Sequence, residues 1–324
     1  MGRLRNIARG FTLLAALGVS ATTHAQTFPN KPVKMVITFT PGSATDIVGR
    51  IVSQKLSEYW GQPVVPENRA GAGGSIASAF VAKAEPDGYT LLINSNAHTV
   101  NPAIYAKLPY DTLKDFVDVA PFTMQPQALV VAPDGPFKTV ADLVAYGKAK
   151  PEALNFAHAG IGSGTHLNTE VFIAAAGIKV TQIIYKGTPE AFTSVMTRTA
   201  DCFWAPLSAA LSNIRAGKLR AIAVSTPKRN AALPDVPTTG EAGVPNADSP
   251  GWFGIWAPAG TPPAIVNKIN ADVRRAIAEP AVKERLNGMG QDTLDMTPEA
   301  FARFVRAEVE NNHRVIKAAG IAPQ

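Results

Sequence analysis

Two short stretches combine glycine, hydroxyl side chains and the start of a helical repeat. They are Pro41-Gly42-Ser43-Ala44-Thr45-Asp46 and Gly160-Ile161-Gly162-Ser163-Gly164-Thr165-His166. Each follows a short apolar run, 33–39 in the first case and 154–157 in the second. The first turn of a helix carries backbone N–H groups with no intrahelical partner and a partial positive charge. Glycine lets a ligand approach that backbone, and hydroxyls add donors. Two such helix starts facing each other would hold a carboxylate without lysine or arginine. Taken singly, each also reads as an ordinary capped strand-to-helix turn. His166 then either touches a ligand or caps its turn. Asp46 either stabilises the helix dipole or faces the cleft and selects donor groups. Lys186, in Tyr185-Lys186-Gly187, either adds positive potential or is solvated. Trp204 and Pro206 lie at the end of an apolar run, where ligands sit in open α/β sheets. Phe203 and Trp204 there make either an aromatic wall or core packing.

Other chemistries lack their residues. Gly160, Gly162 and Gly164 miss the dinucleotide spacing, with no acid about 20 residues on, and no Gly-Lys-Ser/Thr closes a phosphate loop. The four histidines after residue 25 (His98, His158, His166 and His313) form no metal-ligand pair, so neither metal nor cofactor is expected. Cys202 is the single cysteine, which excludes an intrachain disulfide; it sits in an apolar run as an inert thiol. Gly73-Gly74-Ser75-Ile76-Ala77 departs from a nucleophile elbow only in its last residue. An exported hydrolase using Ser75, with His98, His158 or His166 as base, is therefore the enzymatic alternative.

These residues must be positioned by a substantial fold. The chain has 324 residues, 46% hydrophobic and 17% charged, which at about 150 residues per domain suggests two domains. Residues 1–25 are a separate object: Arg3, Arg5 and Arg9 precede a short apolar core at 11–20, and Thr23-His24-Ala25 offers small residues at −3 and −1. This is the anatomy of a secretory signal peptide cleaved after Ala25, giving a periplasmic protein; the core is shorter than the roughly 20 residues of a membrane span. Removing its three arginines lowers the net charge from +6 to +3. No basic cluster remains to bind nucleic acid. Apolar runs at 33–39, 64–65, 89–93, 128–132, 154–157, 183–185, 202–205 and 219–224 read as strands alternating with helical segments, an α/β layered class. The stretch 95–127 reads as loose, and 226–260, rich in Pro and Gly, as a surface wrap. Helices start at Thr261-Pro262-Pro263 and Thr297-Pro298-Glu299. No internal repeat at a fixed period appears.

In order along the chain, further motifs join the two turns: Asn68-Arg69-Ala70-Gly71-Ala72-Gly73-Gly74, Pro86-Asp87-Gly88-Tyr89-Thr90-Leu91, Tyr185-Lys186-Gly187, Gly217-Lys218-Leu219-Arg220-Ala221, Leu233-Pro234-Asp235-Val236-Pro237-Thr238 and Ala257-Pro258-Ala259-Gly260-Thr261-Pro262. With them the chain resembles the extracytoplasmic substrate-binding proteins of tripartite tricarboxylate transporters, the Bug proteins, over about residues 30–322. The resemblance implies a two-lobed periplasmic-binding-protein (flytrap) fold, each lobe a mixed sheet flanked by helices. It implies lobe 1 at 26–125 plus 226–324 and lobe 2 at 126–225, with crossovers near 124–128 and 223–226. It implies a monomer that binds a small di-, tri- or aromatic carboxylate between the lobes for a membrane permease, without catalysis. A ligand sensor for a membrane receptor is a further alternative. The expected ligand-binding residues are Phe39, Gly42, Ser43, Thr45, Asp46, Ser95, Asn96, Ala159, Gly162, Ser163, Gly164, Thr165, His166, Lys186, Trp204 and Pro206. Ser43 stands where the family commonly has glycine. The bulky stretch 201–206 hints at a flat or aromatic ligand.

Overall fold

The computed structural model describes residues 28–318; the expected signal segment and its cleavage after Ala25 lie outside them. The chain first builds β1 (Val33–Ile37), α1 (Ala44–Trp60), β2 (Val64–Asn68), a 3-10 turn (Ala72–Gly74), α2 (Ser75–Ala82), β3 (Thr90–Ser95), α3 (Ala97–Ile104) and β4 (Phe116–Gln125). It crosses at Pro126 to β5 (Gln127–Val131), α4 (Val140–Ala149), β6 (Asn155–His158), α5 (Gly164–Ala176), β7 (Thr181–Ile184), α6 (Thr188–Met196), β8 (Cys202–Pro206), α7 (Leu207–Arg215) and β9 (Arg220–Val224). It then returns through β10 (Gly251–Pro258) and ends in α8 (Pro263–Ala278), α9 (Pro280–Gly288) and α10 (Pro298–Ala318).

Two five-stranded sheets result, ordered β2-β1-β3-β10-β4 and β7-β6-β8-β5-β9. In each, three parallel strands are followed by an antiparallel one. Strand alternation sends successive side chains to opposite faces. On one face of the first sheet, Val33, Met35 and Ile37 meet α1 and α8; on the other, Val36 and Leu92 meet Ala77, Val81, Phe301 and Val305. In the second sheet, Leu129, Val131 and Trp204 pack with Leu143 and Phe172, while Val130 and Phe203 pack with Phe192 and Leu211. Buried Val48, Ile51, Val52 and Leu56 give α1 a helix-period stripe, and Gly61 caps it at φ 61°. The structure is the two-lobed α/β flytrap with mixed sheets flanked by helices.

Three expectations change. The loose stretch 95–127 contains α3 and the ten-residue β4. The wrap at 226–260 contains β10, which is fully buried between β3 and β4. Asp118 and Pro121 interrupt the apolar pattern of β4, and two glycines that of β10. Pairing with each other, across more than 120 residues, decides both. Finally, residues 226–247 stay with the second sheet. Leu233, Val244 and Ala247 enter its core clusters, and Val224 bridges Thr238. The return crossing therefore follows residue 247, later than the expected 226.

The lobes are closed upon each other. Val100, Ala103 and Ile104 of α3 and Ile316 of α10 share an apolar cluster with Leu167 of α5. The Tyr105 hydroxyl donates to the Ile161 carbonyl across the interface at 2.9 Å. Gly73, at φ 56°, admits this approach, since a Cβ there would stand 2.0 Å from the Ile161 oxygen.

One buried histidine makes a stability prediction. His98 is fully buried against Trp256 (ring centroids 4.3 Å apart) and Phe116 (4.8 Å), and neither of its ring nitrogens has a hydrogen-bond partner among the described residues. Burial pushes it down to about 3. The folded chain therefore refuses a proton that the unfolded chain accepts near pH 6.5, and His98 costs stability as pH falls from 6.5 towards 3. Asp118, raised to about 6 by burial, acts oppositely between about pH 4 and 6 and is common to both proteins compared. His98→Phe is expected to make the loss of stability between pH 6 and 4 shallower by about 1.4 kcal/mol per pH unit, read by urea unfolding; identical slopes would refute the assignment.

Candidate ligand-binding site

The two glycine–hydroxyl turns fold almost identically. Ser43 and Ser163 are the N-caps of α1 and α5, at φ/ψ −69°/162° and −71°/159°. The preceding glycines, Gly42 and Gly162, lie at φ 77° and 78°, left-handed values that favour glycine. Ser43 N–H donates to the Thr40 carbonyl and Ser163 N–H to the Gly160 carbonyl, both at 3.1 Å. Each cap hydroxyl accepts the amide three residues on: Asp46 N–H at 3.3 Å and His166 N–H at 3.2 Å. The Asp46 and His166 side chains reach back in the same way. Asp46 Oδ2 accepts Gly42 N–H at 3.0 Å, and His166 Nδ1 accepts Gly162 N–H at 3.3 Å. One four-residue pattern, Gly-Ser-x-Thr, thus occurs twice, 120 positions apart. It was invisible as a fixed period because the helices that follow share no sequence.

These bonds consume the third amide of each helix and leave the first two. Ala44, Thr45, Gly164 and Thr165 carry the N–H groups that a helix cannot satisfy internally. All four residues line one cavity between the lobes, with about 270 Å³ of space, part of it open to solvent. Its wall is completed by Phe39, Ser43, Ser95, Gln125, Ala159, Ser163, Thr188 and Pro206. None of these twelve is charged. Within the wall, Thr165 Oγ1 accepts the Ala159 amide at 2.9 Å and shares a 2.9 Å hydrogen bond with Ser163 Oγ. Ser95 Oγ accepts the Ala97 amide at 3.2 Å.

Nine of the sixteen expected residues line this cavity: Phe39, Ser43, Thr45, Ser95, Ala159, Ser163, Gly164, Thr165 and Pro206. Seven stand elsewhere. Gly42 and Gly162 shape the turns. Both oxygens of Asp46 are occupied, by Gly42 N–H and by Arg50 Nε (2.8 Å) and Asn68 Nδ2 (2.9 Å). His166 donates from Nε2 to Glu170 Oε1 at 3.3 Å and lies against His158, with ring centroids 4.8 Å apart and planes tilted by 42°. Burial raises the Glu170 carboxyl, but hydrogen bonds from His166 and Gln182 outweigh it and hold it below its ordinary value. Burial, with His166 adding to it, pushes His158 down to about 3, so it is neutral. Asn96 caps α3 behind the cavity; a Cβ on Gly164 would stand 2.5 Å from its Oδ1. Lys186 is exposed on a separate groove with Ile76, Tyr105 and Ile161. Trp204 is core, edge-on to Phe172 with centroids 5.8 Å apart. Strand parity turns Trp204 to the α5 side, and the chain then reaches the cavity only at Pro206.

Sequence reasoning passed over Ala44, Gln125 and Thr188. Ala44 contributes backbone, which no residue-type argument detects. Gln125 ends β4 beside the crossing, where a polar residue was a usable signal. Thr188 opens α6 after a third strand-to-helix turn, but its place as first helical residue, behind a Gly187 cap, appears only in the fold.

Ser75 begins α2, and no histidine hydrogen-bonds to it among the described residues. His98 is unpartnered, and the Nδ1 atoms of His158 and His166 accept turn amides. Because each cap serine satisfies an otherwise orphaned amide, Ser43→Ala and Ser163→Ala should each destabilise the chain by about 1 kcal/mol. The double variant, with its sites on different lobes, should show the sum; urea midpoints that do not move would contradict these caps.

Comparison with known proteins places these features. Residues 48–321 match the model of the tripartite tricarboxylate transporter family receptor. Protein BugT of Bordetella pertussis is 34% identical over 309 residues, covering 95% of this chain and 95% of that protein. A solved R. palustris protein with adipate superposes with a TM-score of 0.89 at 34% identity, covering 92% of this chain and all of that one. MatC from Rhodopseudomonas palustris with bound malate gives 0.85 at 33%, covering 89% and 100%. With one family model matched over most of its length and the fold shared throughout, this chain belongs to the tripartite tricarboxylate transporter receptor family, among the Bug proteins.

Proposed function

We propose that the protein is an extracytoplasmic solute-binding protein that closes on a small aliphatic carboxylate and passes it to the permease of a tripartite tricarboxylate-type transporter. One carboxylate group of the ligand sits between the starts of α1 and α5. It accepts from the free amides of Ala44, Thr45, Gly164 and Thr165, with the hydroxyl-bearing Ser43, Thr45, Ser163 and Thr165 around it. Phe39, Ala159 and Pro206 face its hydrocarbon part. Residues 1–25 direct export to the periplasm, where the protein acts as a monomer without catalysis.

The observation that carries this reading is the pair of helix starts whose first residues, with amides unmatched inside their own helices, line one uncharged cavity. Adipate and malate in the structures of two relatives support it. The aromatic alternative drew on the bulky stretch 201–206, whose Phe203 and Trp204 are buried in the core, which favours the aliphatic reading.

A thermal-shift panel of mono-, di- and tricarboxylates, aliphatic and aromatic, tests it. A true ligand at about 100 times its Kd should stabilise the chain by about 2.7 kcal/mol, and short aliphatic acids should lead. Thr165→Val should weaken that ligand several-fold. Gly73→Ala, outside the cavity wall, should cost at least tenfold by obstructing closure. A panel without a single shift, or variants that bind as wild type does, would defeat the reading.

A further inference from the structure

The sequence motifs at 68–74 and 185–187 supply no wall residue to the ligand cavity. They meet instead in the groove that holds Lys186, on the outer side of the lobe contact. Gly71, Gly73 and Ile76 come from the first lobe, and Ile161, Ile184 and Lys186 from the second. The groove has about 980 Å³ of space, part of it open to solvent, which is room for a short segment of another chain. Its floor is the closing contact itself: the Tyr105 hydroxyl donates to the Ile161 carbonyl at 2.9 Å, and Gly73 backs onto the same carbonyl. Parting the lobes would therefore split the groove in two.

The lining is apolar with one charge. Ile76 and Ile184, 54% and 55% exposed, are the two most exposed large apolar side chains among the described residues, and each lobe contributes one. Scattered exposed apolar side chains are ordinary, but two brought to one groove mark a contact surface. Lys186 is the only charged residue of the lining; it is exposed and has no ion-pair partner among the described residues. Ala159 lines both the groove and the ligand cavity, so an occupant of the groove lies against the wall of the ligand site.

We propose that this groove is the surface by which the closed chain docks on its membrane permease, and that the permease fills it with an extracytoplasmic segment carrying an apolar side chain and a carboxylate. This rests on the reading that the closed chain passes a carboxylate to a permease. The apolar side chain packs between Ile76 and Ile184, and the carboxylate meets Lys186. The unpaired cation favours an acidic segment and disfavours a basic one. Since the groove is complete only when the lobes meet, the permease binds the closed chain better than the open one, and that difference ties docking to capture.

Ile76→Ser, Ile184→Ser and Lys186→Glu change exposed side chains outside the cavity wall. By titration calorimetry each variant should bind succinate, malate and adipate as the unchanged chain does. In cells lacking the native gene, each should lower uptake of the same radiolabelled acids about tenfold, as loss of a central contact does. A photoreactive side chain in place of Ile184 should attach to the permease in the presence of these acids and not in their absence. Uptake at the unchanged rate, or attachment that ignores the acids, overturns the docking groove and leaves the carboxylate reading standing. Loss of binding together with uptake also overturns it, by assigning these residues to closure. Dimers that form on adding acid and vanish in Ile184→Ser, seen by sedimentation velocity, overturn it in favour of a second copy. Absence of binding or of uptake by the unchanged chain with all three acids overturns the proposed function, and this proposal with it.

Discussion

Four amide protons impose the constraint on which the cleft depends. Helix geometry leaves the N–H groups of Ala44, Thr45, Gly164 and Thr165 without intrahelical acceptors, and the fold brings all four residues to the wall of one cavity. With the lobes apart, water can accept from them. With the lobes together, each unmet donor costs about 1–3 kcal/mol. An anion with two oxygens would meet several of them at once, so on the proposed reading closing and capturing the ligand are one linked equilibrium. A cation in the wall would blur that linkage by supplying its own attraction at any degree of opening; the twelve wall residues include none.

The architecture serves this geometry by near-repetition. Each sheet has three parallel strands and an antiparallel fourth, and each carries a Gly-Ser-x-Thr turn at the end of a parallel strand. Joining two such lobes by paired crossings brings like helix ends face to face. The interface then depends on glycine where backbone meets backbone or side chain. A Cβ at Gly187 would stand 2.0 Å from Thr40 Oγ1, and one at Gly164 would stand 2.5 Å from Asn96 Oδ1. The crossings are tied to each other: Gln127 N–H donates to Ser225 Oγ at 3.0 Å, and Ser249 N–H to the Ser225 carbonyl at 3.0 Å.

Residue chemistry alone misleads most at Asp46, His166 and Trp204. An acid and an imidazole beside a ligand cavity look like recognition groups. Both instead turn back onto the glycine four residues earlier and hold the turn's shape. Burial has a similar levelling effect on histidine: His98 and His158, both pushed to about 3, are neutral and serve as aromatic packing and an amide acceptor. Trp204 is governed by which face of β8 it falls on, not by its nearness in sequence to Pro206.

Much of the molecule was legible from residues alone. Gly-Ser-x-Thr after an apolar run dictates a capped helix with two spare amides, because glycine dihedrals and serine capping are local properties. The stripe of α1, the Gly61 stop and the alternating α/β order are local in the same sense. What pairs over long distance was not: β4 and β10 stabilise each other across the chain despite proline and glycine, and residues 226–247 belong to the lobe whose core accepts Leu233 and Val244. Cavity membership of Gln125 and Thr188 is likewise a tertiary decision. A side chain's identity fixes what it can bond, but only the packing of distant strands fixes whether it meets protein, water or a ligand.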